Sequence, residues 1–340
     1  MNILLIPGDG IGPEVIGAAA EILRAAAPAA QISEAPAGWE VFIATGTALP
    51  AATLAAAHAA DAILFGAVAS PSYPVPGYHS PIIALRRALD LYANMRPTRT
   101  PPLPGARPGV DLLVVRENTE GLYAGRERSE DGGDTAIAER VITRHASTRI
   151  AQAAVAAARQ RAGAGKRPRV TIVHKANVLR TSCGLFRAAA LAVLADAHDV
   201  DHDELLVDVA AMHLTAQPER FDVLVTTNLF GDILSDVACI HGGGLGLASS
   251  ANIGDQHALF EPVHGAALDI AGRGVANPLA AISCAGHLLA RLGQHAAAQR
   301  IAQAVEMILR DGPRTPDLGG NAGTADVVRA VARRVCRSIP

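Results

Sequence analysis

One arrangement recurs along this chain: a short apolar run, a turn, then a helical stretch. NILLIP (2–7) leads into GPEVIGAAAEILRAAA (12–27). The first reads as a buried strand. The second has the periodicity of an amphipathic helix, with Pro13 near its start. AAHAADAILFGAV predicts a helix and then a strand ending near Gly66, and SPIIALRRALDLYANMRP begins helical and becomes extended before Pro97. VDLLVVREN (110–118), RVTIVHKAN (169–177), ELLVDVAAM (204–212) and FDVLVTTN (221–228) predict strands that run into turns. VITRHASTRIAQAAVAAARQR (141–161) and PLAAISCAGHLLARLG (278–293) predict helices. Strand and helix in alternation imply an α/β fold with much parallel sheet.

At 340 residues the chain is too long for one compact core of usual size, so two domains are expected. TRTPPLPGARPG (98–109), rich in proline and glycine and without periodicity, is the best crossing, and a second falls near HGGGLGLASSANIGD (241–255). The expected division is 1–98 completed by 251–340, with 99–250 between. With 50% hydrophobic and 18% charged residues the chain is globular, and with only 3% aromatic its core must be Ala, Val, Leu and Ile. A net charge of −2 gives no long-range pull toward nucleic acid or anionic lipid. No run reaches the roughly 18 apolar residues of a membrane helix, and MNILLIPGDG lacks the basic start of a signal peptide. Cys183, Cys239, Cys284 and Cys336 form no CxxC pair and read as reduced thiols of a cytoplasmic protein.

Four groups of residues carry chemistry. PGDGIG (7–12) joins a strand to a helix, but its glycines are spaced GxGxG, not GxGxxG. A tight turn lining a cofactor cleft fits better than a standard dinucleotide fingerprint. Arg86, Arg96 and Arg116 fall at element ends within thirty residues. Converging guanidiniums would grip a substrate with several carboxylates; singly, each reads equally as an ion-pair partner. Asp232 and Asp236, in TTNLFGDILSD (226–236), share one helix face at i, i+4 spacing, with no basic residue between them. With Asp208, which follows ELLV, they suit magnesium or manganese; a helix cap plus a solvated Asp is the alternative. Lys175 and Tyr123 are candidates to move protons, Lys175 as a base desolvated by its setting, though each alone is as readily structural.

Together IPGDGIGPEV, LDLYANMRP, VVRENTEGLYAG, HKANVL, TTNLFGDILSD and EPVHGAALDIAGRGVANP resemble, nearly end to end and in the same order, the β-decarboxylating dehydrogenases that oxidise isocitrate, 3-isopropylmalate, homoisocitrate or tartrate. The resemblance implies an isopropylmalate dehydrogenase-like two-domain α/β fold with a mixed parallel sheet and a cleft between the domains. It implies a homodimer, possibly a tetramer, whose cleft the partner completes. It assigns Arg86, Arg96 and Arg116 to substrate carboxylates, and Asp232 and Asp236 to the metal with Asp208 from the other subunit. Lys175 is then the base, also donated across the dimer, and Tyr123 the acid. Asn177 lies near the nicotinamide, and Glu261, His264, Gly265, Ala266, Ala267, Asp269 and Asn277 near the rest of the cofactor. Asp269 stands where the family's NAD enzymes carry an aspartate for the ribose diol, and a carboxylate there repels a 2′-phosphate, so NAD is expected. Ala266 and Leu268 depart from the Ser or Thr and the Pro common at these places.

Substrate choice rests on VASPSYPVPGYHSPIIALRR (68–87). Ser80 resembles the serine that meets a distal carboxylate, whereas an isopropylmalate enzyme would line this helix with leucines. Ile82 stands where isocitrate enzymes carry Asn. Ile83 leaves room for an extra methylene, with Ser72, Tyr73 or His79 near the distal carboxylate. GYHSPIIALRR and GPRTPDLGG resemble the homoisocitrate-oxidising branch, on the aminoadipate route to lysine, with a tricarboxylic hydroxy acid as substrate. Isocitrate and 3-isopropylmalate are the alternatives, and a non-catalytic regulatory subunit is the alternative of a different class.

Overall fold

The computed structural model describes residues 1–163 and 168–337. In chain order, β1 (Asn2–Gly8), α1 (Gly12–Ala26), β2 (Gln31–Glu34), α2 (Trp39–Thr45), α3 (Ala51–Ala59), β3 (Ala62–Ala67) and α4 (Pro81–Ala88) come first. Then follow β4 (Ala93–Arg99), β5 (Asp111–Glu117), β6 (Glu127–Glu130), β7 (Thr135–Ala138), α5 (Arg144–Arg161) and β8 (Arg169–His174). After these come α6 (Ser182–Asp196), β9 (Asp201–Leu206), α7 (Val207–Ala216), β10 (Val223–Thr226) and α8 (Asn228–Cys239). The chain closes with β11 (Ser249–Ile253), β12 (Ala258–Pro262), α9 (Leu279–Arg291), α10 (His295–Asp311) and α11 (Thr324–Arg337).

The chain divides into two compact α/β units. The first holds 1–91, 101–106 and 242–340; the second holds 92–100 and 107–241. The proline- and glycine-rich stretch 98–109 contains two of the crossings. The other two fall at 91/92, ahead of that stretch, and at 241/242, at the start of the second stretch named above, nine residues before the division expected at 250/251. The cause is pairing. β4 is bonded to β5 along its whole length, from Ala93 opposite Glu117 to Arg99 opposite Asp111, and so travels with the second unit. Leu247, ahead of β11, packs into the core of the first.

In the first unit the strands run β2-β1-β3-β12-β11, parallel except for β11 against β12. Every residue of β3, AILFGA, is buried, as a strand covered on both faces requires. α1, α9, α10 and α11 pack on one face; Val327, Val328, Val331 and Val335 recur on the buried stripe of α11. In the second unit the strands run β4-β5-β10-β8-β9, antiparallel only between β4 and β5. Val110, Leu112, Val114, Leu214, Leu224 and Leu234 form a core on one face of that sheet. β6 and β7 make a separate hairpin. Arg116, Thr226 and Val173 are in register on three neighbouring parallel strands. The turns that follow carry most of the chemistry, as expected at the carboxyl ends of a parallel sheet. Among the described residues no helix is long and apolar enough to cross a membrane.

Candidate active site

Arg116 is the last residue but one of β5 and is 1% exposed. Its Nε and Nη2 donate to Asn228 Oδ1 at 3.1 and 2.7 Å, and its Nη1 donates to Asp232 Oδ1 at 2.5 Å. Asn228 opens α8 directly after the neighbouring strand, and Asp232 stands one turn further on. Gly231 lies between them because a Cβ there would fall 2.6 Å from the Cβ and Cγ of Arg116. Tyr123 donates its hydroxyl to Asp232 Oδ2 at 2.5 Å, and its ring lies 5.1 Å from the Arg116 guanidinium. Arg96, on β4, donates to Asn94 Oδ1 and Ser235 Oγ, each at 2.8 Å, and lies 3.1 Å from Asp232 and 3.6 Å from Asp236.

The positive charge missing between the two aspartates in the sequence is thus supplied in part by arginines more than a hundred residues earlier. All three arginines expected to grip substrate face carboxylates of the protein itself, Arg96 and Arg116 at Asp232 and Arg86 at Glu261. Burial, and next the hydrogen bond to Asp232, push the Tyr123 phenol above its ordinary value, so it keeps its proton. Asp236 is also pushed up, first by desolvation and then by the Asp232 carboxylate, against the pull of Arg96. Two carboxylates one helical turn apart, offering only hard oxygens, fit a divalent cation once further ligands join them. Among the described residues of this single chain, no three His, Cys, Asp or Glu side chains gather as a metal group.

Lys175 and Asp208 meet at the ends of the paired strands β8 and β9, where His174 is opposite Leu206. Lys175 Nζ donates to Asp208 Oδ1 at 2.5 Å. That bond holds the Asp208 carboxyl below its usual range. The Lys175 side chain reaches past the strand's end and is 25% exposed. Asn177 is exposed in the following turn.

In the first unit, Arg86 in the last turn of α4 donates to Glu261 Oε1 at 2.8 Å, and both residues are buried. Asn252 Nδ2 donates to the same oxygen, so Glu261 is engaged inside the protein. The Nε of Arg86 is buried without a hydrogen-bond partner among the described residues. Ser80 precedes α4 without capping it. Ser72, Tyr73 and His79 are exposed, His79 with Nδ1 3.3 Å from the Gly77 carbonyl oxygen, and Ile83 is half-buried.

The PGDGIG turn is a structural knot. Asp9, Ile11 and Gly12 donate their amides to Ala67, Ala266 and Asp9 at 2.8–2.9 Å. A phosphate cradle needs such amides unspent, which explains the departure from a dinucleotide fingerprint. Gly10 has φ +60°, and a Cβ on it would sit 2.0 Å from the Ala266 carbonyl oxygen. Gly10→Ala is expected to destabilise the protein by more than about 1 kcal/mol, read as a lower denaturation midpoint; an unchanged midpoint would show that the turn yields freely.

Ala266 and Gly10 therefore fix the start of the loop expected to hold the cofactor. Gly265, Leu268 and Asp269 are exposed, and Ala267 takes φ +39°. Asn277 accepts the Leu279 amide and donates to Asp317, which sets the entry to α9. His264 Nε2 is buried with no hydrogen-bond partner among the described residues, and burial pushes its imidazole below the ordinary value. An orphaned neutral nitrogen in this loop fits a ligand that brings its own polar group, as a nucleotide does.

Sequence reasoning missed Asn228 and Ser235. Asn228 had a signal: a polar residue closing an apolar strand, four residues ahead of Asp232.

The family described as isocitrate/isopropylmalate dehydrogenase matches residues 2–331. The isocitrate/homoisocitrate dehydrogenase of Thermus thermophilus is 52% identical over 332 residues, 97% of each chain. The 3-isopropylmalate/3-methylmalate dehydrogenase of Methanocaldococcus jannaschii is 47% identical over 98% of each. The crystal structure of isocitrate dehydrogenase from Methylococcus capsulatus superposes with a TM-score of 0.93 at 43% identity, covering 98% of this chain and 99% of that one.

Proposed function

Because the chain belongs to the isocitrate/isopropylmalate dehydrogenase family and is a dehydrogenase, we propose that it oxidises and decarboxylates homoisocitrate to 2-oxoadipate, using NAD and magnesium or manganese. The observation that carries the reaction type is the Arg96–Arg116–Asp232–Tyr123 cluster at the strand ends. Ser80 and Ile83 on α4 support the substrate: a polar group for a distal carboxylate, and an apolar residue that leaves room for one more methylene.

Asp232 and Asp236, with Asp208 of a second copy, would hold the metal, which when bound acts as a Lewis acid toward the substrate's hydroxyl and carboxylate oxygens. The nicotinamide accepts hydride when bound. Asp269 favours NAD because a carboxylate beside the ribose repels a 2′-phosphate. Arg86, Arg96 and Arg116 hold carboxylates of the substrate, Arg96 and Arg116 exchanging part of their hold on Asp232 for it. Lys175 of the second copy, its amine held by the Asp208 beside it, would take the hydroxyl proton at Nζ. Tyr123 would deliver a proton to the carbon that has lost its carboxylate, its phenol holding that proton near neutrality. A homodimer is supported by apolar side chains on the second unit's surface: Met212 on α7 is 56% exposed, Ile233 on α8 52% and Ile240 72%.

Initial rates with homoisocitrate, isocitrate, 3-isopropylmalate and tartrate at equal concentration test the reading. Homoisocitrate is expected to lead. Isocitrate is expected to follow within about 10–200-fold, the discrimination one methylene allows. NAD should exceed NADP, and a chelator should abolish turnover. A clear preference for 3-isopropylmalate would overturn the substrate, and faster turnover with NADP would overturn the role of Asp269. Sedimentation as a monomer at full activity would remove the shared site.

A further inference from the structure

The stretch 68–80, between β3 and α4, carries Ser72, Tyr73, His79 and Ser80, and Ile83 lies in the first turn of α4. The stretch has no strand or helix of its own, so its shape depends on what it is pinned to. Both of its ends are tied to α2. At the start the tie is Asp9: Ala69 donates its amide to Asp9 Oδ2 at 2.9 Å, and the first two amides of α2, those of Trp39 and Glu40, donate to the same carboxylate at 2.7 and 3.1 Å. Asp9 is 2% exposed, and Gly38 lies against it, since a Cβ there would fall 2.5 Å from Asp9 Oδ1. At the end the tie is aromatic. The Tyr78 ring stands edge-on to Trp39 and Phe42, with centroids 5.3 and 5.2 Å away and planes at 74° and 80°. Trp39 stacks on Phe42 at 5.6 Å and 25°. Tyr78 Oη and Ser70 Oγ are 3.1 Å apart, which closes the stretch on itself. The chain has one tryptophan, four tyrosines and six phenylalanines, and one of each meets here. Edge-to-face pairs at these separations attract beyond the area they bury.

We propose that Tyr78 is a positioning residue for specificity: seated on Trp39 and Phe42, it fixes where His79 and Ser80 meet the distal carboxylate of the substrate, and so the length of acid the site prefers. The inference rests on the substrate reading proposed above for this stretch and for Ile83. Tyr78 immediately precedes His79 and lies two residues from Ser80, so the backbone of both follows the place of its ring. Two acids that differ by one methylene are told apart only if the group at the far end is held to within less than that methylene's length. A stretch free to shift by as much accepts both. Asp9 holds the other end through backbone amides, which no side-chain change at position 78 removes. Loss of the Tyr78 ring therefore loosens the end that carries His79 and Ser80 and leaves the start of the stretch in place.

The test compares Tyr78→Leu, Tyr78→Phe and wild type as full-length enzyme with NAD and magnesium, on homoisocitrate and isocitrate. Ile43→Ala serves as control, because Ile43 lies on α2 and is 66% exposed. In Tyr78→Leu the KM for homoisocitrate is expected to rise about 10-fold with a smaller change in kcat, and the preference over isocitrate to fall by about as much, out of the roughly 10–200-fold that one methylene allows. Tyr78→Phe keeps the ring and loses only the bond to Ser70, so it is expected to keep most of the preference, and the control to match wild type. Trp39, the single tryptophan, reads the cluster directly. Its emission is expected to shift to the red and to be quenched more readily by iodide in Tyr78→Leu, and to stay near wild type in Tyr78→Phe. An unchanged preference in Tyr78→Leu, with the emission shifted, overturns the inference. So does an unshifted emission, which shows that the ring was not seated on Trp39. So does an equal loss of kcat on both acids with a lower thermal midpoint, which marks a general structural role. If the wild type prefers another of the four acids, the substrate reading fails, and the inference stands or falls on the same loss of preference measured for that acid against the next best. If it turns over none of them, both fail.

Discussion

Lys175→Met is expected to lower kcat by about 10²–10⁴-fold, the usual loss when a positioned acid–base group is removed. The loss should appear in kcat more than in KM, since Lys175 touches the reacting hydroxyl rather than the carboxylates that anchor the substrate. The same substitution frees Asp208, whose carboxyl is held below its ordinary range chiefly by the hydrogen bond from Lys175. A carboxyl depressed in the folded state contributes stability that is present above its unfolded value and lost as pH falls through its folded value. In Lys175→Met that contribution disappears: stability falls above the unfolded carboxyl value, modestly because both partners are partly exposed, and the variant converges with wild type as pH falls through the folded value of Asp208. Single-turnover rates of reduced nicotinamide, measured beside denaturation midpoints from acid to neutral pH, separate the two effects. Wild-type kcat in Lys175→Met would remove Lys175 from the chemistry, whatever became of the stability.

The strand-to-helix turns were legible because both halves of the signal lie within a few residues. An apolar run such as VDLLVV, ended by Arg116, and FDVLV, followed by TTN and then Asp232, declare a strand and what stands at its tip. What the sequence hides is which tips face each other. Arg116 meets Asp232 across 116 residues. No local periodicity records such meetings; the order of strands in the sheet creates them. ELLVDVAAM reads as a strand and a turn, yet the chain leaves β9 at Leu206 and Val207 already opens α7, because Val207 and Ala210 pack on the second core as helix residues. The exposure of Lys175 in the single chain is as little recorded by its strand. RVTIVH is buried to its last residue but one step later the side chain has left the sheet.

Asp232→Asn and Asp236→Asn are expected to abolish turnover alike and to part company in stability, although the two residues are one helical turn apart. Asp232 is the anion of a nearly closed cluster: Arg116, 1% exposed, donates to it at 2.5 Å, Arg96 lies at 3.1 Å, and Tyr123 donates to its other oxygen. Removing its charge takes from the Arg116 guanidinium the anion it donates to at 2.5 Å. Breaking one side of a buried ion pair costs about 3–5 kcal/mol; with the Asp232 side chain 32% exposed, the lower end is expected. The Tyr123 phenol should fall toward its ordinary value but stay above it, because burial is the first cause of its rise and the aspartate only the second. Asp236 behaves differently. Its carboxyl is raised in the folded state, so its contribution to stability is fully present below the unfolded value and lost as pH rises through the folded one. At neutral pH the ionised side chain is a mild burden on the metal-free protein, and Asp236→Asn should leave the denaturation midpoint unchanged or slightly higher, within about 0.5 kcal/mol. Loss of activity without loss of stability at Asp236 is what a metal ligand predicts and a helix-capping or solvated aspartate does not. Full metal-dependent turnover in Asp236→Asn would therefore return that residue to the helix surface and leave Asp232 as a structural anion for two arginines.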